Sequence, residues 1–296
     1  MAAGGAAVAA LSAPAIEVVE YDEGMNKMEK LTLMAVLAHP DDESFGIGGT
    51  LAKYAAEGCA VHLVTATRGE AGQIVAPGVA TSANLPQIRE QELRCACVAL
   101  GIHPPHFLDY VDGQLPVVHQ GQAVGKVVRL IRQLRPQVLV TFDPQGAYGH
   151  YDHIAVHRWA TIAYDLAAKG DCFPEQTSEG CTPHQVSKLY YHVSTEEQVR
   201  GIFGDEPAAV MMDGVPFSFV GVPQEDVTTL IDIRAYAETK MRAVACHVSQ
   251  VGDVSNEGPM ADIREQAWAN YEAYVLAGSV LPKPAGVEHD LFAGLR

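Results

Sequence analysis

Residues 31–43 read LTLMAVLAHPDDE, and the fold turns on how this stretch changes character part-way along. Its first eight residues are a short, nearly continuous apolar run, as a strand buried on both faces of a parallel sheet requires. Its last five, His39-Pro40-Asp41-Asp42-Glu43, put one imidazole and three carboxylates directly at the strand's end. Working outward, residues 47–57 have helical spacing and Gly58 stops them. Residues 60–67 (AVHLVTAT) make a second strand, a Gly- and Pro-containing loop runs from Arg68 to about Pro86, and residues 87–100 return to helical spacing. A short strand near 106–108, a helix over 124–134, a buried strand over 137–142 (QVLVTF) and a helix over 150–168 follow. Residues 169–183 read as loop, 188–193 and 228–233 as strands, and 234–248 and 260–276 as helices, while 195–223 carries no single pattern. Alternation of this kind predicts an α/β chain with a mostly parallel sheet and helices on both faces.

The 296 residues carry 20 Lys plus Arg against 36 Asp plus Glu, a formal net charge of −16. Little basic surface is then available to displace counterions from a phosphate backbone, so nucleic acid is not expected as a partner. Apolar residues make up 48% and charged residues 19%, the balance of a globular chain rather than a disordered one. No apolar run approaches the ~18 residues that span a bilayer, so no membrane partner is expected. The opening MAAGGAAVAALSAPA lacks the positively charged start of a signal peptide, so residues 1–28 read as a flexible extension, with Met25 or Met28 offering a second start. Residues 29–296 then read as a single domain. The six cysteines, Cys59, Cys95, Cys97, Cys172, Cys181 and Cys246, form no CxxC pair. The expectation is reduced thiols in a cytoplasmic protein, with Cys172 and Cys181 the pair placed to bridge a loop if any disulfide forms.

In open α/β sheets ligands sit beyond the carboxyl ends of the strands. Two polar loops leave buried strands there: HPDDE, and the run from Asp143 to His153 (DPQGAYGHYDH). Carboxylates this dense are costly to bury unpaired, and a divalent cation would offset their repulsion. A surface turn is the competing reading of HPDDE alone, since Pro and Asp favour turns. His150 and His153 are three apart, on one face of a helix start, and His157 lies four further on. Helix capping or a polar core competes with a ligand role for these histidines, and for His157 the core reading is preferred. A catalytic zinc site takes three N or O ligands and keeps a position for water; His39, Asp42 and His153 supply that set. Asp41 is left beside the metal, where a carboxylate can take a proton from water. His150, as imidazolium, could donate a proton or steady a developing oxyanion. Asp152 could set its tautomer and raise its pKa, and the Tyr148 phenol could reach the same oxyanion. A nucleotide-binding dehydrogenase is not expected, because no G-x-G-x-x-G follows the first strand and GIGG at 46–49 lies past the acidic cluster.

Several stretches together resemble the PIG-L/LmbE-like zinc-dependent N-deacetylases, which act on N-acetylglucosamine conjugates. They are AHPDDESFGIGGTLAKYAAEG, VTATRGEAG, RCACVALGI with FLDYVDG, DPQGAYGHYDHIAVH and, more weakly, KMRAVACHVSQ, and they touch most of residues 31–250. The resemblance implies a Rossmann-like sheet with a zinc site at the C-terminal edge of the strands. By matching position, His39, Asp42 and His153 would be the metal ligands, Asp41 the general base, His150 the acid or electrostatic partner, Asp152 its tuning carboxylate and Tyr148 the oxyanion tyrosine. Arg68 and Asp112 match positions associated with sugar binding; an ion pair of Arg68 with Glu70 or Glu92, and a turn cap at Asp112, are the alternatives. Tyr151 stands where many relatives carry Pro. His247 falls in a family-like helix, with a structural role and a substrate contact equally open.

The expected activity is therefore zinc-dependent hydrolysis of a linear amide, removing acetyl from an N-acetylated amino-sugar conjugate to give acetate and a free amine. Fe2+ or Co2+ would also suit the ligand set. Residues 177–281 match the family least and are expected to shape the substrate pocket and any homo-oligomer contact. Two alternatives stand beside this: an amidase of the same superfamily acting on another amide, such as a thiol-sugar conjugate, and a non-catalytic Rossmann-like binding protein.

Overall fold

The computed structural model describes residues 30–75, 77–204, 209–212, 214–252 and 270–296. In chain order the first elements are β1 (Thr32–Leu37), α1 (Asp42–Ala56), β2 (Ala60–Thr65), α2 (Leu85–Leu100) and β3 (His106–Phe107). Next come α3 (Gln120–Leu134), β4 (Val138–Phe142), the single turn α4 (Gly146–Gly149), α5 (Tyr151–Leu166), α6 (Pro174–Ser178) and β5 (Lys188–Val193). The last are α7 (Glu196–Phe203), β6 (Ala209–Met212), β7 (Val215–Ser218), β8 (Thr229–Asp232), α8 (Ala237–Cys246), α9 (Val248–Val251) and β9 (Tyr271–Ser279).

Strands β1 and β4 are buried at every residue, and neither alternates in hydrophobicity because both faces of the sheet are covered. The sheet order is β3-β2-β1-β4-β5-β9-β8. Strands β3, β2, β1, β4 and β5 run parallel, and β9 runs antiparallel between β5 and β8. The chain builds outward from β1 to β3, then returns to lay β4 on the other side of β1. Right-handed crossovers place α1 and α2 on one face and α3 and α5 on the other; α8 packs against α1 and α2, and α3 against α5. The loops that leave β1 and β4 therefore diverge to opposite faces and open a crevice at the carboxyl edge. Both polar loops singled out in the sequence emerge there.

Several expectations are corrected by this arrangement. Where a helix was expected over 260–276, residues 260–269 lie outside the described residues, and Tyr271–Ser279 is a strand. Tyr271, Tyr274 and Val275 suit a strand, and pairing on both sides with β5 and β8 decides between two readings that a short apolar run leaves open. The loop expected over 169–183 contains α6. The unassigned segment 195–223 holds α7, started by a capping box of Thr195 and Gln198, and the hairpin β6–β7. The helix expected over 234–248 is broken into a 3-10 turn (Arg234–Tyr236), α8 and α9. Residues 1–28 lie outside the described residues.

The cysteines also differ from expectation. Cys95 on α2 and Cys246 at the end of α8 form a disulfide with Cα atoms 5.8 Å apart. Cys172 and Cys181 are both free. The partners are 151 residues apart in sequence, a pairing that only helix packing brings about. Among the described residues no helix is long and apolar enough to cross a membrane.

Candidate active site

The loop after β1 is held by its own side chains. Thr65 Oγ1 and Thr67 Oγ1 donate to the Ala38 carbonyl at 3.2 and 3.1 Å, fixing the strand end. Asp42 Oδ2 accepts from the main-chain N–H of His39 at 2.7 Å and of Ala38 at 3.2 Å. Asp41 sits between them with φ 116°, a strained value for a residue with a Cβ. Glu43 Oε2 accepts from the Asp41 N–H at 2.9 Å, and His247 Nε2 lies 2.8 Å from Glu43 Oε1 in the interior. His247, wholly buried, thus takes the structural role of the two left open for it.

Across the crevice, α5 brings His153 to the same point. His39 Nδ1 is 3.2 Å from His153 Nε2 and 3.6 Å from Asp42 Oδ2, and His153 Nε2 is 3.3 Å from Asp42 Oδ1. Three donors around a tetrahedral ion with bonds of about 2.1 Å stand about 3.4 Å apart; the two imidazole nitrogens and one Asp42 oxygen, all within 4.8 Å of one another, can close on one divalent cation. The far side of His39 agrees with this. Its Nε2 faces Asp112 Oδ1 at 3.0 Å and Asp152 Oδ2 at 3.2 Å, which keeps the proton on Nε2 and leaves the Nδ1 lone pair for a metal. His153 is oriented by packing instead: its ring stacks on Phe142 at 4.0 Å, and its Nδ1 has no hydrogen-bond partner among the described residues. A second grouping, His39, His150 and Asp152, is also close enough to bind an ion. There, however, main-chain N–H groups already occupy His150 Nδ1 and both oxygens of Asp152.

Electrostatics mark the first grouping as a place for positive charge. Burial works against a charged His39, but the carboxylates of Asp112, Asp152 and Asp42 override it and hold the imidazole well above its usual range. Burial also opposes the Asp42 carboxylate, and His153 and His39 hold it well below its usual range. Asp41 goes the other way: burial pushes it up to about 6, with the Arg89 guanidinium, 3.0 Å away, pulling it back. A carboxyl near 6 is poised for proton exchange at neutral pH.

His150 departs from the expected imidazolium, and Asp152, whose charge does raise the His150 pKa, does so without pairing with the ring. The Asp152 carboxylate turns to His39 and to the N–H groups of Gly113 (2.7 Å) and Leu115 (3.1 Å), not to the His150 ring. Its main-chain N–H donates to His150 Nδ1 at 3.1 Å as the cap of α5, so neutral His150 carries its proton on Nε2. Burial and the neighbouring His153 and His39 push His150 down to about 4, which makes it a neutral imidazole at pH 7 rather than an imidazolium. Tyr148 is pushed far above its ordinary value by burial and by the Asp42 and Asp41 carboxylates, so its phenol stays protonated.

Arg68 is held by Glu90 and Asp109, each at 2.6 Å, and lies over the Phe107 ring; its partners are neither Glu70 nor Glu92. Asp112 is at the centre, on His39 and on the Ala71 N–H. His157 donates its Nδ1–H to the Phe142 carbonyl and stays in the core. Arg89, absent from the two polar loops, reaches the Asp41 carboxylate and the carbonyls of Pro40 and Gly69. A signal for it existed: Arg89 and Glu92 sit in the buried stripe of α2 with Leu85, Leu93 and Ala96, where a charge needs a partner.

The ligand atoms lie between two cavities that share Asp41, Asp42 and Tyr148. One, of about 290 Å³, is polar, with Gln73, Arg89, Asp112, His150 and Gln250 in its wall. The other, of about 320 Å³, is mainly apolar, with Phe45, Phe142, Val199, Phe203 and Phe219. Arg68 lines neither.

Known proteins share this architecture. The structure of N,N'-diacetylchitobiose deacetylase from Pyrococcus horikoshii matches with a TM-score of 0.64 over 88% of each chain at 19% identity. The 4-carboxy-2-hydroxymuconate hydratase GalB from Pseudomonas putida KT2440 matches with 0.59 over 86% of this chain and 100% of that one, also at 19% identity. These two likenesses concern the fold, and they carry different reactions on it. Sequence goes further. The chain is 36% identical over 305 residues to a 1D-myo-inositol 2-acetamido-2-deoxy-alpha-D-glucopyranoside deacetylase of Streptomyces griseus, covering 92% of this chain and 91% of that one. Residues 34–164, which run from β1 through the second polar loop to α5, match PIG-L: GlcNAc-PI de-N-acetylase. Similarity that spans both chains and includes both loops of the centre makes this chain a member of the PIG-L family.

Proposed function

We propose that this protein is a zinc-dependent N-deacetylase that cleaves the acetamide of an N-acetylglucosamine-type conjugate, releasing acetate and a free amine. One observation carries the reading: three converging ligand atoms stand where two cavities adjoin, and both cavities also expose Asp41, a half-buried carboxylate that the ligand set does not use. The acetamido-sugar deacetylases among its relatives supply the substrate class.

His39, Asp42 and His153 would hold the ion; two imidazoles and a carboxylate suit zinc and would also accept Fe2+ or Co2+. A divalent cation there polarises an amide carbonyl and lets water act as a nucleophile near neutral pH. Asp41 takes a proton from the attacking water and returns it to the departing amine nitrogen, a task that its pKa near 6 fits. Arg89 holds that carboxylate in place. Tyr148 donates its O–H to the oxyanion as the carbonyl carbon becomes tetrahedral. Neutral His150 presents Nε2–H on the polar side, next to the leaving amine. Sugar hydroxyls belong in that polar cavity, where Asp112 accepts and Gln73 and Gln250 do either.

The test is a panel of N-acetylglucosamine conjugates with inositol, sugar and nucleotide aglycones, offered to zinc-loaded protein. Acetate and free amine are expected in equal amounts from at least one member. Release of neither from any member overturns the reading.

A further inference from the structure

The inference here rests on the hydrolase reading and concerns which acyl groups the same site takes. An acetyl group brings only a methyl beyond its carbonyl. The apolar cavity next to the ligand atoms measures about 320 Å³, roughly twice the ~150 Å³ of an apolar cavity that holds benzene. A methyl leaves most of it unfilled.

Its wall continues away from the centre as a row of rings. Tyr148 meets Phe219 at 4.8 Å, and Phe219 meets Phe203 at 5.1 Å. Phe45, Val199, Phe203 and Phe219 are all partly exposed, so apolar surface stands ready to be covered. Apart from Asp41, Asp42, Tyr148 and His153, the polar side chains in the wall are His192 and Ser194. Burial pushes His192 down to about 4, so it adds no charge at neutral pH.

The other cavity fixes the direction of a bound amide. His150, Arg89, Asp112 and Gln250 face it, and these groups suit a leaving amine and sugar hydroxyls. Asp41 and Tyr148 belong to both cavities. An amide held between them points its amine side into the polar cavity and its acyl side into the apolar one.

We propose that the apolar cavity is an acyl subsite, and that the protein hydrolyses N-acyl amino sugars bearing an alkyl chain of several carbons or an aryl group in preference to the N-acetyl compound. The balance is that of ordinary amide hydrolysis. Water's oxygen bonds to the acyl carbon, the C–N bond breaks, water's two protons pass to the amine nitrogen as it leaves as an ammonium, and a longer carboxylate is released instead of acetate.

The experiment uses N-acetyl-, N-butyryl-, N-hexanoyl- and N-phenylacetylglucosamine with the full zinc-loaded chain, measuring the glucosamine released, which is common to all four. kcat/KM is expected to rise roughly fourfold for each methylene buried, so that hexanoyl exceeds acetyl by at least tenfold. Val199→Trp puts an indole into the cavity and is expected to lower the hexanoyl-to-acetyl ratio tenfold or more. Cleavage of acetyl with rejection of the longer groups overturns the acyl subsite and leaves the deacetylase reading standing. Cleavage of none overturns both. A preference for hexanoyl that survives Val199→Trp unchanged overturns the placement in this cavity. If that variant does not fold, the wild-type series decides.

Discussion

The loop that follows β1 and the loop that follows β4 supply the same centre and are built in opposite ways. In the first, nearly every polar atom is tied down from behind. Asp42 bonds two main-chain N–H groups, Glu43 holds the Asp41 N–H, and Arg89 reaches Asp41 and Pro40. The second is irregular. Gly146, Ala147 and Gly149 have φ of 65°, 65° and 87°, and Tyr148 rests against Phe219 from beyond the β6–β7 hairpin. Asp143 Oδ1, accepting from the Ala147 N–H at 2.7 Å, is the tie at its start. The contrast separates two tasks. Ligands and base need fixed positions, which the first loop's ties give to His39, Asp41 and Asp42 and helix α5 gives to His153, because an ångström of error costs orders of magnitude in rate. The groups that meet a varied substrate tolerate a looser frame.

Perturbing each loop should break or sharpen this division, and the largest effects are expected at the fixed groups, the ligands and Asp41. Asp41→Asn should keep its metal, as elemental analysis would show, yet lose turnover by about 10²–10⁴-fold, the usual worth of a positioned proton acceptor. His153→Ala is the control, since it should lose the metal itself. Tyr148→Phe comes next, with kcat reduced by about 10²–10³-fold if its O–H meets the oxyanion. A large rise in KM with kcat intact would make Tyr148 a binding residue and blur the contrast between the loops.

A pH profile gives a smaller but more specific effect. Asp41 accepts a proton only as a carboxylate, and its pKa lies at about 6, so kcat/KM should fall as pH drops through that region. The Arg89 guanidinium lowers that pKa, so Arg89→Met should move the acid limb to higher pH. A limb that stays put would show that Arg89 serves the main-chain carbonyls alone. The smallest effect is expected at Arg68, whose guanidinium is engaged by Glu90 and Asp109 outside both cavities. Arg68→Ala should change KM less than about threefold, within the range of exposed ion pairs, whereas a tenfold rise would restore it as a sugar-binding residue.

How much could be read in advance follows the same division. HPDDE and GHYDH announced themselves because dense ligand types directly after apolar strands have few other uses. The parallel strand–helix repeat was legible for the same local reason. Arg89 and the partners of Arg68 and Asp152 are not legible in the sequence because those partners sit on other elements: Asp41 for Arg89, Asp109 for Arg68, His39 for Asp152. Strand β9 was read as helix because a short apolar segment takes its conformation from its neighbours in the sheet.

By itself the sequence determined the alternation of buried strands and helices, and it placed two sets of ligand-type side chains at strand ends; both are local properties of pattern and spacing. Only the tertiary structure decided that His39, Asp42 and His153 converge within 3.2 to 3.6 Å. The same holds for the neutral state of His150, the disulfide between α2 and α8, and the apolar cavity beside the polar one. The physical reason is shared by all four. Distance, desolvation and enclosure are set by residues a hundred or more positions apart, and a linear pattern carries no measure of them.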